Sequence, residues 1–159
     1  MKIIKAAAEH AELVGYVHSN AWKSTYQNLF PKQYLEMGTI ERRKEEFLNS
    51  VTNDNIQYYL VLENDIAVGI IKILTGNNIC EIASIYFLTE YRNKGYGTET
   101  LNYLKKIYPE HMIFLWVLKE NVKARHFYDK SGFKETGETR MIHRGNEYVQ
   151  IKYEMQRNL

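Results

Sequence analysis

Arg92-Asn93-Lys94-Gly95-Tyr96-Gly97-Thr98 places two glycines where an apolar strand ends and a helix begins. Upstream, Ile79 to Leu88 is apolar or small at nearly every position, the pattern of a strand buried on both faces. Downstream, Leu101, Leu104, Lys105 and Tyr108 keep helical spacing. Strand, glycine turn and helix thus follow one another without a break. A helix start presents unpaired backbone N–H groups and the positive end of the dipole, and a residue without Cβ lets an anion approach them closely. The stretch therefore predicts a phosphate cradle.

What the stretch lacks narrows the ligand. A Walker A loop needs Gly-Lys-Ser or Gly-Lys-Thr, and neither occurs in the chain. A dinucleotide fingerprint needs a third glycine three residues after Gly97, where Thr100 stands. What remains is Arg-x-x-Gly-x-Gly over Arg92, Gly95 and Gly97, a pattern that an ordinary glycine turn also satisfies. A second segment adds weight: Asn121 to Phe133 reads NVKARHFYDKSGF. Asn121 is a good N-cap, Ala124 and Phe127 to Tyr128 fall on one helical side, and Gly132 stands where a helix ends in the left-handed conformation. Together the two segments resemble the coenzyme A pyrophosphate loop and the second signature, Asn-x-x-Ala-x-x-(aromatic)-Tyr-x-x-x-Gly-Phe, of the GNAT N-acetyltransferase superfamily. Ala21-Trp22-Lys23-Ser24-Thr25-Tyr26, followed by Leu29-Phe30-Pro31, is similar to the helix-loop entry of its small single-domain bacterial members.

Bulk properties set limits. A chain of 159 residues without a Gly/Ser/Pro-rich linker or repeat reads as one domain, residues 1–159. Its 21 basic and 19 acidic residues are interspersed, so it lacks the electrostatic footprint of a nucleic-acid binder. No apolar run approaches the ~20 residues needed to span a bilayer, and no basic-then-apolar leader opens the sequence. The single Cys80 forbids an internal disulfide, which fits a reducing cytoplasm. The five histidines show no metal-ligand spacing, so no metal is expected.

The remaining elements give the architecture. Gln57 to Glu63 and Ile66 to Leu74, joined by Asn64-Asp65, predict an antiparallel hairpin. Leu13, Val14, Val17 and Ala21 give Glu9 to Tyr26 helical periodicity, and Ile113 to Leu118 is a bulky apolar strand. Phe133 to His143 and Glu147 to Met155 flank Arg144-Gly145-Asn146 as a last strand pair. The order is strand, helices, three strands, helix, strand, helix, two strands. This predicts an α/β fold with a mixed, mostly antiparallel sheet flanked by helices, and the resemblance implies that the strands carrying Glu81 and Trp116 splay apart at the acetyl-CoA site.

Acetyl transfer to an amine sets chemical demands. An ammonium of pKa ~10.4 costs roughly 4.6 kcal/mol to present uncharged at neutral pH, so the site needs a proton acceptor. The tetrahedral intermediate needs hydrogen-bond donors, and a departing thiolate leaves more readily if protonated. The resemblance assigns the donor to Tyr128, and gives cofactor contacts to Arg92, Asn93, Lys94, Gly95, Tyr96, Gly97 and Thr98, to the backbone of Ile85, Tyr86 and Phe87, and to Asn121, Ala124, Phe127 and Tyr128. Tyr128 could equally be a core tyrosine, and Asn121 an N-cap alone.

Glu81 is the base candidate. In an alternating strand it shares a face with Ile79, Ala83, Ile85 and Phe87, and its place eleven residues before Arg92 resembles that of the strand glutamate acting as base, often through water, in several members. Other members use a Glu five residues before the motif asparagine, where this chain has Trp116. His18, Trp22 and Tyr26 recur every four residues on one helical face, either as plain core or, as the resemblance implies, as a wall of the acceptor pocket. The sequence thus reads as an acetyl-CoA-dependent N-acetyltransferase acting on a small amine or a peptide amino group, with a non-catalytic CoA-sensing or interaction module as the alternative. Acceptor identity and homodimer formation stay open at this stage.

Overall fold

Asn64 and Asp65 both take positive φ, 51° and 64°, the backbone of a tight hairpin turn. They join β2 (Ile56–Glu63) to β3 (Ile66–Gly76) with antiparallel pairing throughout. In the computed structural model, which describes residues 1–157, this hairpin is part of a seven-stranded sheet. The other strands are β1 (Lys2–Lys5), β4 (Ile79–Phe87), β5 (Met112–Leu118), β6 (Phe133–His143) and β7 (Glu147–Met155). Their order across the sheet is β1-β2-β3-β4-β5-β7-β6, and only β4 and β5 run parallel.

Helices cover both faces because the strands alternate. Leu60 and Ile70 point to one face, where Val14 and Val17 of α1 (Ala11–Tyr26) and Phe47 of α3 (Ile40–Ser50) bury them. Val61, Ile71 and Leu115 point to the other, against Leu101 and Leu104 of α4 (Tyr96–Ile107) and Tyr128 of α5 (Val122–Lys130). A short α2 (Lys32–Glu36) follows the Phe30-Pro31 turn. Among the described residues no helix is long and apolar enough to cross a membrane.

Two features of β4 position the site. One is the splay that the resemblance implies, although it leaves β4 less buried than the sequence reading has it, and the other is a register change that the sequence reading lacks. First, β4 and β5 pair at only three positions, from Ile79–Met112 to Glu81–Phe114, although each strand continues for several residues. Beyond Glu81 the strands part, so only Cys80 and Ile82 of β4 are buried, and the strand is not covered on both faces along its length. Second, Lys72 faces Ser84 while Ile73 faces Ile82, so Ala83 is an extra residue, a β-bulge. One extra residue reverses the alternation. Ile85 and Phe87 therefore pack with Cys80 and Ile82 toward α4, and Glu81 shares its side with Ser84 and Tyr86 instead.

Candidate active site

Where β4 leaves β5, one edge of its backbone has no strand beside it, while its other edge stays paired to β3 as far as Phe87. Unpaired N–H and C=O groups on such an edge accept an extended ligand as they would another strand. The edge runs straight into the glycine turn. Gly95 caps α4 with φ 89°, a conformation that glycine adopts without strain, and the space where its side chain would stand is open. Gly97 lies in the first turn of the helix, and a Cβ there would come within 2.9 Å of the Phe127 ring. That ring belongs to α5, so Gly97 lets the two helices close on each other at the mouth of the gap. Tyr96 stacks on Phe87, and the Lys94 ammonium lies over the Tyr91 ring.

Arg92 departs from its expected place. Its guanidinium turns away from the cradle and donates to the carbonyls of Phe87 and Ala21 and to the hydroxyls of Ser24 and Thr25, at 2.7–3.2 Å. The side chain thus ties the end of β4 to the last turn of α1, where the carbonyls of the helix end and its partial negative charge favour a cation. Only its backbone remains to face a ligand.

On the α5 side, Asn121 caps the helix by accepting the Ala124 N–H at 3.3 Å, and Gly132 ends it at φ 90°. Tyr128 projects from this helix into the core at 8% exposure. Among the described residues its hydroxyl has no hydrogen-bond partner in the protein. Burial, and then the neighbouring Tyr86, hold its pKa well above the ordinary tyrosine value. Tyr86 and Tyr26 share a hydroxyl–hydroxyl hydrogen bond of 3.3 Å, and burial raises both of their pKa values. Three protonated phenols therefore meet where the sheet opens.

Tyr26 and Tyr86 open onto a cavity of about 350 Å³. α1 supplies His18, Trp22 and Tyr26 to its wall, so the aromatic stripe faces a cavity. β4 adds Glu81, Ser84 and Tyr86, and β5 adds Trp116. Glu81 is half-buried there. The β6–β7 turn closes the far side: a Cβ on Gly145 would come within 3.1 Å of Pro31 and Tyr34, and the Tyr148 hydroxyl of β7 donates to the Leu29 carbonyl at 2.8 Å. His18 is only 3% exposed, its Nδ1 has no partner, and burial followed by the charges of Arg43 and Lys72 lowers its pKa to about 3. It is a neutral imidazole at physiological pH.

Five charged residues of this wall were not anticipated: Arg43 and Glu46 from α3, Lys72 from β3, and Arg140 and Arg144 from β6 and its turn. Strand alternation does not predict the last two as a pair, because β6 ends at His143 and Arg144 stands in the turn. Among the described residues no group of three or more His, Cys, Asp or Glu is placed to hold a metal ion.

The geometry fits coenzyme A: an open strand edge for the pantetheine amides, a helix start with free N–H groups for the pyrophosphate, and a buried phenol between them. Residues 19–133 match the model of the Acetyltransferase (GNAT) family, and the chain belongs to that family. It is 28% identical to a spermidine N(1)-acetyltransferase of Thermoplasma acidophilum over 142 residues, covering 84% of this chain and 88% of that one. With a spermidine N(1)-acetyltransferase of Vibrio cholerae it shares 32% identity over 101 residues, 58% of each chain. The crystal structure of the PaiA N-acetyltransferase from Thermoplasma acidophilum in complex with coenzyme A superposes with a TM-score of 0.78 at 24% identity, covering 98% of both chains. The protein is an acetyl-CoA-dependent N-acetyltransferase.

Proposed function

We propose that the whole chain acts as one catalytic domain that acetylates the primary amine of a small molecule held in the cavity between α1, β4 and the β6–β7 turn. One observation carries this reading: the cavity and Tyr128 lie on either side of the place where β4 and β5 part, so an amine in the cavity faces the open strand edge. The similarity to spermidine N(1)-acetyltransferases supports a small-molecule amine over a protein terminus.

Acetyl-CoA, when bound, supplies an acetyl group activated as a thioester. The backbone of Ile85, Tyr86 and Phe87 holds its pantetheine arm, with Asn121, Ala124 and Phe127 along the other bank. The Asn93 to Thr98 backbone holds the pyrophosphate, and Arg92 holds the loop. Glu81, on the cavity wall, takes the proton from the incoming ammonium, directly or through one water. Tyr128 is a neutral phenol at neutral pH, and its proton is available to a departing thiolate. Trp22 and Tyr26 give the acceptor an aromatic wall.

A panel of small primary amines incubated with the protein and acetyl-CoA, followed by free-thiol release, tests the reading. Amine-dependent release is expected. Binding of CoA with no release from any amine would instead favour a CoA sensor.

A further inference from the structure

The acceptor cavity has an unusual balance of charge. Four cations stand on its wall, Arg43, Lys72, Arg140 and Arg144, against two carboxylates, Glu46 and Glu81. Its net charge thus equals the +2 of the whole 159-residue chain, gathered around one cavity. Glu46 is already engaged, pairing with Arg43 at 3.1 Å and with Arg42 at 3.4 Å. Lys72, Arg140 and Arg144 have no carboxylate within ion-pair distance among the described residues, and uncharged partners hold them in place. Arg140 lies 4.4 Å from the centre of the Trp116 ring and donates its Nε–H to Gln150 at 2.7 Å. Arg144 donates to the His143 carbonyl at 2.7 Å, and the Lys72 ammonium sits over the Tyr58 ring.

Arg140 and Arg144 line the same cavity. After burial and the opposing pull of Glu81, the charge of Arg144 also depresses the Arg140 pKa, so the two guanidiniums feel each other's repulsion. Two planar forks on the same cavity wall, each held by an uncharged partner, match a carboxylate or a phosphate, which would relieve that repulsion. The cations do not belong to the pyrophosphate cradle, since none of Arg92 to Thr98 lines this cavity. The one buried polar atom on the wall without a partner apart from the Arg43 Nε, His18 Nδ1, is on a neutral ring and so provides no charge for a polycation.

We infer that the acceptor is a small primary amine that also bears an anionic group, a carboxylate or a phosphate, and that Arg140 and Arg144 receive that group while Lys72 repels additional ammonium groups. The inference rests on the acetyl-transfer reading given above and specifies its substrate. A polyamine, the acceptor named for two relatives, would bring two or more ammonium groups to a wall on which Glu81 is the one carboxylate free to meet them. Glu81, beside Arg140, meets the amine end of the acceptor while the guanidiniums meet the anionic end.

Matched amines that differ only in the anionic group provide the test, lysine against cadaverine and phosphoethanolamine against ethanolamine, with spermidine as the polycation. Thiol release from acetyl-CoA gives kcat/KM for each. At least one anionic member should exceed its partner that lacks the anion, and spermidine, by tenfold or more, and the two pairs tell carboxylate from phosphate. Arg140→Gln and Arg144→Gln should each raise KM for that anionic amine at least tenfold more than for its partner, while CoA still raises the melting temperature as in the wild type. Preference for cadaverine or spermidine would overturn the inference, as would an equal loss on both members of a pair. Failure of every amine despite CoA binding would remove the transfer reading and this inference together.

Discussion

The two sides of the site are made of different material. The side we assign to the coenzyme is backbone: a strand edge at residues 82–87, a left-handed glycine at Gly95 and the first turn of α4. The acceptor side is side chains from α1, α3, β3, β4, β5 and β6, converging on one cavity. Backbone recognition tolerates wide change in side-chain identity, because its donors and acceptors are the same in every residue. Side-chain recognition does not. A chain can therefore keep the coenzyme half while altering what the other half accepts, and the charge of this cavity is where such a change would register.

The largest expected effect lies where the two sides meet. Tyr128→Phe removes one hydroxyl and keeps the ring that packs on Phe127 and Phe133. Turnover should fall about 10²-fold or more while CoA affinity is kept, measured by single-turnover kinetics and calorimetric titration. An unchanged rate would assign Tyr128 to the core alone. Glu81→Gln probes the acceptor side next. Its loss in kcat/KM should shrink as rising pH deprotonates the free amine, and the wild-type profile should contain an ionisation that the variant lacks. A mutant with the wild-type profile would pass the proton to water or backbone carbonyls.

These sites were legible in the sequence to different degrees, for the same reason that they differ in material. The glycine turn, the Asn121 cap and the Asn64-Asp65 hairpin are local, so spacing alone exposes them, and each takes its expected place. The Ala83 bulge is not local. Nothing in Ile79 to Phe87 marks an extra residue, because a bulge is defined by the partner strand, and missing it put Glu81 on the wrong side of β4. The role of Arg92 was hidden likewise, since its partners at Ala21, Ser24 and Thr25 are some seventy positions away. The cations of the cavity come from three elements, and single-sequence periodicity reports only which side of one element a residue takes.

Arg92→Met sharpens the contrast between positioning a loop and touching a ligand. Loss of charge-assisted hydrogen bonds from a half-buried group should lower stability by about 2 kcal/mol in chemical denaturation. Loss of CoA affinity at unchanged stability would restore Arg92 as a direct phosphate ligand.

The smallest expected effect concerns His18. Unfolded, it takes up a proton below its ordinary pKa of 6.5, whereas folded it stays neutral down to about 3. The unfolded state thus binds more protons in that window, and the stability tied to His18 is lost as pH falls from 6.5 toward 3. His18→Asn should lack this component, about 1.4 kcal/mol for each pH unit, in denaturation curves compared at about pH 7 and pH 5.5. Identical slopes would mean that water reaches the imidazole.

Amide hydrogen exchange with and without coenzyme A tests the division of the site most directly. CoA should slow exchange in peptides covering residues 84–98, the open edge of β4 and the start of α4, and leave residues 140–150 at the acceptor cavity unchanged, with the protection lost in Gly97→Val. Protection confined to 140–150, with the β4 edge exchanging as before, would contradict the assignment of the coenzyme to the backbone side.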